Sequence, residues 1–370
     1  MKKTLVALAA LAASAAFAQS TVTISGVADV GLAYDSTATG ANGAGNTAGG
    51  NKLGLSAGNN NRILFSGVED LGGGMAATFA FQLRLDPTRG TNERGVNLVG
   101  NQTNNTTAVL SNTGAYTSRP LFQGESTVGL RGGFGSLKLG RWLTATQLAN
   151  GGAIDPWGVT TIGGNVYASG FASDYVQGGE GRVGNAVFYS SPNLGGFGVN
   201  VSYGFDKGPS GKQHTSFAGT YSNGPINFMI GSEKNRFNDG LLQIGGNFNM
   251  GVAKLYAGYG RVTGSANAAD RLGSTYLATA SGAQVAAGGT VKNLTFGANI
   301  PLGAATLRAG YSRWNNTGAA GQLNERKLGL GVNYALSKRT AIYSDIASTS
   351  RKNAALSNKT AYDLGIAHSF

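Results

Sequence analysis

Beyond residue 20 the chain breaks into short runs in which apolar and polar residues alternate. Val22, Ile24, Ala28, Val30, Leu32 and Tyr34 share one face of an extended chain, and Thr23, Ser25 and Asp29 share the other. The same period of two recurs in Met75 to Leu85. There Phe79, Phe81, Leu83 and Leu85 oppose Thr78, Gln82 and Arg84. About sixteen such segments follow one another, joined by roughly seven short turns and eight longer loops in strict alternation. None approaches the roughly 18 consecutive apolar residues of a spanning helix. Short turns at one end and long loops at the other predict an all-β, transmembrane antiparallel up-and-down barrel. About sixteen strands leave an aqueous channel, whereas eight would be filled by side chains.

The predicted boundaries run as follows. The first strand is Val22 to Tyr34, and a Gly/Asn-rich loop spans Asp35 to about Asn60. The second strand is Asn61 to Val68, turning at Gly72-Gly73-Gly74 into the third, Met75 to Leu85. A polar loop reaches Gly124. Strands Glu125–Arg131 and Ser136–Arg141 flank Gly132-Gly133-Phe134-Gly135, and the longest connection runs from Trp142 to Arg182. Later hairpins turn at Pro192–Gly196, Ser222–Pro225, Asn249–Gly251, Pro301–Gly303 and Leu336–Lys338. The final strand sets Tyr362, Leu364, Ile366, His368 and Phe370 against Asp363, Gly365, Ala367 and Ser369. A Phe at that last position belongs at an aromatic girdle, with its strand paired to the first so that no edge remains.

Composition then sets limits. Met1-Lys2-Lys3, the apolar run Thr4 to Phe17 and the small-x-small site Ala16-Phe17-Ala18 read as a secretory signal peptide over 1–18. The mature chain, 19–370, is one barrel pore domain. There are 61 glycines but only 7 prolines, and no collagen period. Mean hydropathy near zero, at −0.09, fits lumen-facing polar residues cancelling lipid-facing apolar ones. Cysteine is absent, which removes disulfides, thiolate nucleophiles and Cys-ligated metals. The only histidines, His214 and His368, match no triad or metal pattern. No catalytic residue, no metal site and no cofactor is expected, and the chain is not read as an enzyme. The formal charge is +12, but the cations are scattered singly along strands, without the clusters a nucleic-acid binder shows.

Four stretches carry a family resemblance. Val22–Tyr34 is similar to the opening strand of the Gram-negative general porins, most closely their beta-proteobacterial branch. Arg62-Ile63-Leu64-Phe65-Ser66-Gly67-Val68-Glu69-Asp70-Leu71-Gly72-Gly73-Gly74 resembles that family's second strand and turn. Val128-Gly129-Leu130 through Gly140-Arg141 resembles its next hairpin. Arg182-Val183-Gly184-Asn185, with Tyr189 and Ser191-Pro192, resembles its exit from the third loop. The resemblance implies a homotrimeric outer-membrane pore of sixteen strands, set among outer-membrane lipid and lipopolysaccharide. Its third loop folds into the lumen as a constriction. The C-terminal strand, ending in Phe370, is the insertion signal read by the barrel assembly machinery. Two positions depart from the family pattern. Gly124 stands where an arginine is frequent, and Asn193-Leu194 follows Ser191-Pro192 where the family has an acid. Arg84, on the neighbouring strand, is the candidate to supply the missing guanidinium.

Parity sorts the charges of the pore. Arg62, Arg84, Arg131, Lys138, Lys254 and Arg308 alternate with apolar neighbours and are expected to face the lumen. A cation facing lipid at mid-depth would cost about 2–4 kcal/mol. Arg141 breaks this parity and sits either at the rim or where the third loop redirects it. Arg182 marks that loop's end. Asp155, Asp174 and Glu180 are the loop's acids facing the basic wall. Trp142, Trp157 and Tyr167 either line the entrance or pin the loop to the wall. The expected function is passive diffusion of small hydrophilic solutes and ions with anion preference. The alternative is a substrate-specific channel for small organic anions.

Overall fold

The structure is a computed structural model that describes residues 21–36, 53–58, 61–88, 90–92, 121–158, 162–164, 181–208, 211–266, 288–317, 324–352 and 358–370. Its strands are β1 (Thr21–Asp35), β2 (Leu53–Ala57), β3 (Arg62–Gly72), β4 (Met75–Asp86), β5 (Thr91–Asn92), β6 (Glu125–Gly132), β7 (Gly135–Leu143), β8 (Arg182–Ser190) and β9 (Phe197–Lys207). They continue with β10 (Gln213–Asn223), β11 (Ile226–Lys234), β12 (Gly240–Asn249), β13 (Lys254–Thr263), β14 (Thr290–Leu302), β15 (Ala305–Thr317), β16 (Asn324–Ala335), β17 (Thr340–Lys352) and β18 (Lys359–Ser369). One helix, α1 (Ala145–Asn150), follows β7.

Apart from the short β2 and β5, each strand pairs antiparallel with the next along the wall, and β1 closes on β18, with Val30 opposite Ile366 and Leu32 opposite Leu364. β5 adds two residues against the end of β4 and is not part of the wall. β2 and β3 lie end to end along one side of β1, with Ala57 opposite Val30 and Arg62 opposite Val27. Counting β2 with β3, the wall is a closed barrel of sixteen strands.

β2 differs from the sequence reading, which assigns Asp35 to Asn60 to one loop. The reason lies in the break between β2 and β3. The Asp29 N–H donates to the Asn61 side-chain oxygen at 2.5 Å, and the Asn61 amide donates back to the Asp29 carbonyl at 2.9 Å. A side chain thus stands in for a backbone partner where the strand bulges, so a Gly/Asn cluster that resembles a turn interrupts the strand without ending it.

The burial pattern is inverted relative to a soluble protein. Large apolar side chains such as Ile24, Leu32, Val128, Leu139, Phe217, Ile244, Phe296, Leu330 and Ile366 are exposed, while Asp29, Gln82, Thr127, Ser216, Gln243, Asn293 and Asp345 on the alternate face are buried. A wall that shows lipid its apolar face and keeps polar groups inside accounts for this alternation. No helix among the described residues is long and apolar enough to cross a membrane. Tight turns need few residues. At the β3–β4 turn Gly72, Gly73 and Gly74 all have positive φ, and the Gly72 N–H is held by the Asp70 carboxylate at 2.8 Å.

The seam is completed by Phe370. Its N–H donates to the Gly26 carbonyl at 3.1 Å, and its carbonyl accepts from the Gly26 N–H at 3.0 Å. The Phe370 ring occupies the space a Cβ at Gly26 would need. An aromatic covering a strand glycine pins register at the closing joint. Gly26→Val is therefore expected to lower the yield of folded barrel several-fold, read as the share of protein whose gel mobility shifts on boiling. An unchanged share would show that the ring adds nothing to closure.

Candidate functional site

The inward faces of β3 and β4 place Arg62 directly opposite Arg84, with Leu64 opposite Gln82 and Ser66 opposite Ala80. Arg84 is buried and Arg62 is half-buried. Like charges facing each other across a ladder destabilise it slightly, so the pair is not explained by folding alone. On the next wall section Lys138 donates to Glu125 at 2.8 Å, and Glu125 also accepts from the Thr127 hydroxyl at 2.8 Å. The Lys138 ammonium lies 4.2 Å from the Trp142 ring centroid. This lysine is an anchored member of the wall, with its charge already matched. Arg131 shares its parity but stands exposed beside the short β6–β7 turn.

Arg141 and Arg182 act together at the entry to β6. The Arg141 Nε donates to the Gln123 carbonyl at 3.0 Å, and the Arg182 Nε donates to the Gly124 carbonyl at 2.8 Å. Arg141 is 7 % exposed, so it is neither an open rim residue nor a solvated lumen group. Gly124 fits its position for a steric reason, because a Cβ there would collide with the Gln82 side chain. Two guanidinium groups thus gather at residues 123 and 124.

Residues 144–158 and 162–164 run along the inward faces of β9 to β17. Thr144 caps α1 by accepting from the Gln147 N–H at 3.3 Å. The first helical N–H groups find wall hydroxyls: Ala145 donates to Ser202 at 3.2 Å and Thr146 to Ser216 at 3.0 Å. Ser216 donates in turn to Glu233 at 3.2 Å, which places a carboxylate near the helix N-terminus where the macrodipole favours it. Further along, Ile154 packs with Ala153 and Met229, Asn247 donates to the Ala153 carbonyl at 2.9 Å, and Asn299 donates to the Pro156 carbonyl at 3.2 Å. The Trp157 indole N–H donates to Asp345 at 2.7 Å, and Lys327 donates to the Gly164 carbonyl.

The wall is cut to receive this segment. Gly245 and Gly258 leave room for Ile154, Gly297 for Pro156, Gly310 for the Trp157 ring and Gly329 for Gly163. These glycines stand opposite one another in the ladder: Gly245 faces Gly258, and Gly310 faces both Gly297 and Gly329. They form a track on which the backbone of the connection approaches the wall, a use of glycine that strand propensity alone does not anticipate.

Asp155 lies on this track. It is buried, it accepts from the Trp157 N–H at 2.7 Å, and it lines a small cavity with Trp157, Thr295, Ser312 and Lys327. Of the three aromatics, Trp157 is fastened to the wall, and Trp142 packs on Val183, Ala186 and Phe188. Asp174, Glu180 and Tyr167 fall outside the described residues. Lys327, Asp345, Glu325 and Arg351 are inner-wall charges the sequence reading left out. Arg351 donates to Glu325 at 2.9 Å. Their alternation with Leu328, Leu330 and Ile346 is the signal that identifies them. Among the described residues no group of His, Cys, Asp and Glu is arranged to hold a metal.

The barrel has counterparts. The chain is 29% identical over 374 aligned positions to outer membrane porin protein 32 of Delftia acidovorans, covering 96% of this chain and 91% of that one. It is 27% identical over the full length of both chains to an outer membrane porin protein of Bordetella pertussis. Among solved structures, the anion-selective porin from Comamonas acidovorans superposes with a TM-score of 0.70 at 23% identity, over 95% of this chain and all of that one. The trimer form of the outer membrane protein OmpT of Vibrio cholerae superposes with a TM-score of 0.62 at 11% identity, over 95% and 99%. The family model described as Gram-negative porin matches residues 4–354, and the chain belongs to that family.

Proposed function

We propose that this outer-membrane barrel is a passive diffusion channel for small hydrophilic solutes that prefers anions, and that the segment on the glycine track sets its narrowest section. The observation that carries the reading is the arrangement of charge. Arg62 and Arg84 face one another on β3 and β4, while Glu233 on β11 and Asp345 on β17 are engaged by Ser216 and Trp157. Carboxylates held by Ser216 and Trp157 beneath a loop contribute less to the open path, and the facing guanidinium groups give the β3–β4 wall a positive sign. The net field therefore draws anions. The anion selectivity in the name of the Comamonas porin supports the same sign.

Residues 1–18 are a cleaved leader. The strand ending in Phe370 is the insertion signal presented to the barrel assembly machinery. Three copies assemble side by side, as the trimer form of the Vibrio protein does. Porin relatives by name support a channel and not a catalyst. Single-channel recording in a planar bilayer under a KCl gradient is expected to show conductance steps in threes, with a reversal potential on the chloride side. A folded barrel with no conductance would sink the open-channel reading. A reversal potential on the potassium side would refute the anion preference and leave the channel standing.

A further inference from the structure

Toward the short-turn ends of β13 to β15, four inward side chains carry hydrogen-bonding groups that the protein leaves over. The ladder sets Lys254 opposite Asn299, and Asn299 opposite Arg308. Tyr256 shares the inward parity of Lys254 and is buried, while Leu255 and Leu307 point outward and are exposed. The Asn299 amide donates to the Tyr256 hydroxyl at 3.0 Å and to the Pro156 carbonyl at 3.2 Å. Those two acceptors fix which end of the amide is nitrogen, and they place the group where the connection meets the wall at Gly297.

Among the described residues, the Arg308 Nε and the Asn299 Oδ1 are buried without a hydrogen-bond partner. The Tyr256 hydroxyl accepts from Asn299, and its own proton meets no acceptor among the described residues. The Lys254 ammonium lies 5.3 Å from the Tyr256 ring centroid, and no described carboxylate forms an ion pair with it or with Arg308. Asp345, on the same row, stands beyond Gly331 and accepts from the Trp157 indole. Buried polar groups are nearly always partnered, so a donor and an acceptor left over on facing residues mark a place for a further molecule. Water would complete the hydrogen bonds but would not balance two cations. The leftover set is donors on Lys254, Tyr256 and Arg308 against the acceptor oxygen of Asn299, which describes an anion that also has a proton to give.

We infer that Lys254, Tyr256, Asn299 and Arg308 form a binding site for a small oxyanion that carries a hydroxyl group, of which hydrogen phosphate is the simplest. The inference rests on the channel reading and deepens it by naming a site and a solute class. Phosphate oxygens accept from Arg308, Lys254 and Tyr256, charge-assisted in the first two cases, and the P–O–H group donates to the Asn299 Oδ1. At neutral pH phosphate keeps at least one such proton. Sulfate offers the oxygens without it and leaves the Asn299 oxygen bare, and chloride has no directed oxygens for a guanidinium to grip.

The test records single channels of the full-length barrel in a planar bilayer at neutral pH and fixed KCl, with inorganic phosphate or sulfate added. Phosphate is expected to reduce the chloride current at a concentration at least about tenfold below the one sulfate needs, because sulfate forfeits the contact with Asn299. Arg308→Gln and Tyr256→Phe should each raise the phosphate concentration required by about tenfold. Asn299→Ala should abolish the difference between the two ions. Because Asn299 also holds the Pro156 carbonyl, the comparison is repeated without current, as the phosphorus NMR line width of phosphate mixed with each detergent-refolded barrel. The wild type should broaden the line and the three variants should not. Equal action of phosphate and sulfate on the wild type would overturn the inference and leave only a diffuse positive potential. So would a phosphate effect that survives in both Arg308→Gln and Tyr256→Phe, which would place the anion elsewhere. Reversal potentials are taken on the same channels. Chloride preference without any phosphate effect would sink this inference alone. Potassium preference with a phosphate effect that Arg308→Gln removes would keep the site and refute the anion preference of the pore.

Discussion

Trp157→Ala is expected to turn a quiet channel into a noisy one. The indole N–H bonds Asp345 at 2.7 Å, and the ring lies over Gly310, with Gly163 backing it from the loop side. Trp157 is 7 % exposed, so its truncation removes a buried ring as well as a hydrogen bond. Losses of this kind cost about 3–5 kcal/mol. Barrel strands close on one another without help from Trp157, so the cost falls on attachment of the connection, not on the barrel. At about 1.4 kcal/mol per factor of ten, the detached population rises by roughly two to four powers of ten. Open-channel current noise should increase sharply, and closure should occur at lower applied voltage. Trp157→Phe keeps the ring and drops only the N–H, so it should lie between. Gly310→Val attacks the same joint from the wall side and should reproduce the alanine variant. If all three variants conduct as quietly as the wild type, Trp157 does not hold the segment that shapes the current.

The wall itself was legible because its physics is local. A period of two with charged or hydroxyl groups on one face needs only the strand geometry, and it gives the strands of the wall and the β18 seam that pairs with β1. It would have placed Lys327 and Asp345 by the same argument. β2 was lost because its break is held by the Asn61 side chain on the backbone of Asp29, 32 residues away, a contact with no local signature. α1 was lost for a related reason. Its six residues are too few to form a stable helix alone, and its N–H groups are satisfied by Ser202 and Ser216 on other strands. Arg141 shows the limit of parity at a strand end, where its partner is the Gln123 carbonyl and not a cross-strand side chain. The glycine track was in plain view as composition, but which glycines matter depends on which residues of the connection pass over them.

These observations divide the molecule's charge by location. On β11 to β17 every acid is inward, and the cations of the outward face gather at the loop end. Glu233 and Asp345 are engaged by Ser216 and Trp157, whereas Arg62 and Arg84 face one another across β3 and β4. The basic balance of the chain is thus not one property. Part of it lies on the inward face and part on the outward face, and substitutions on the inward face are the ones expected to act on selectivity.

Charge reversal at Arg84 is the sharpest probe of the aqueous part. Arg84→Glu changes the local charge by two units and converts the like pair with Arg62 into an opposite one. The new pair should not destabilise the strand ladder, because opposite charges directly across it are favourable and like charges are not. Loss of selectivity in this variant can therefore be read as electrostatics, with the gel-shift assay as the check on folding. Two unit charges acting on an ion at about 6 Å in a water-like medium amount to about 1.4 kcal/mol, or about tenfold in local anion concentration. The reversal potential in dilute KCl should move far toward the potassium side, and R62E/R84E should carry it across. Both shifts should shrink as salt rises toward 1 M, where screening acts over about 3 Å. If Arg84→Glu leaves the reversal potential in place at low salt while Lys254→Glu or Arg308→Glu moves it, the selecting charges lie on β13 and β15 near the short turns, and the arginine pair on β3 and β4 is part of the scaffold.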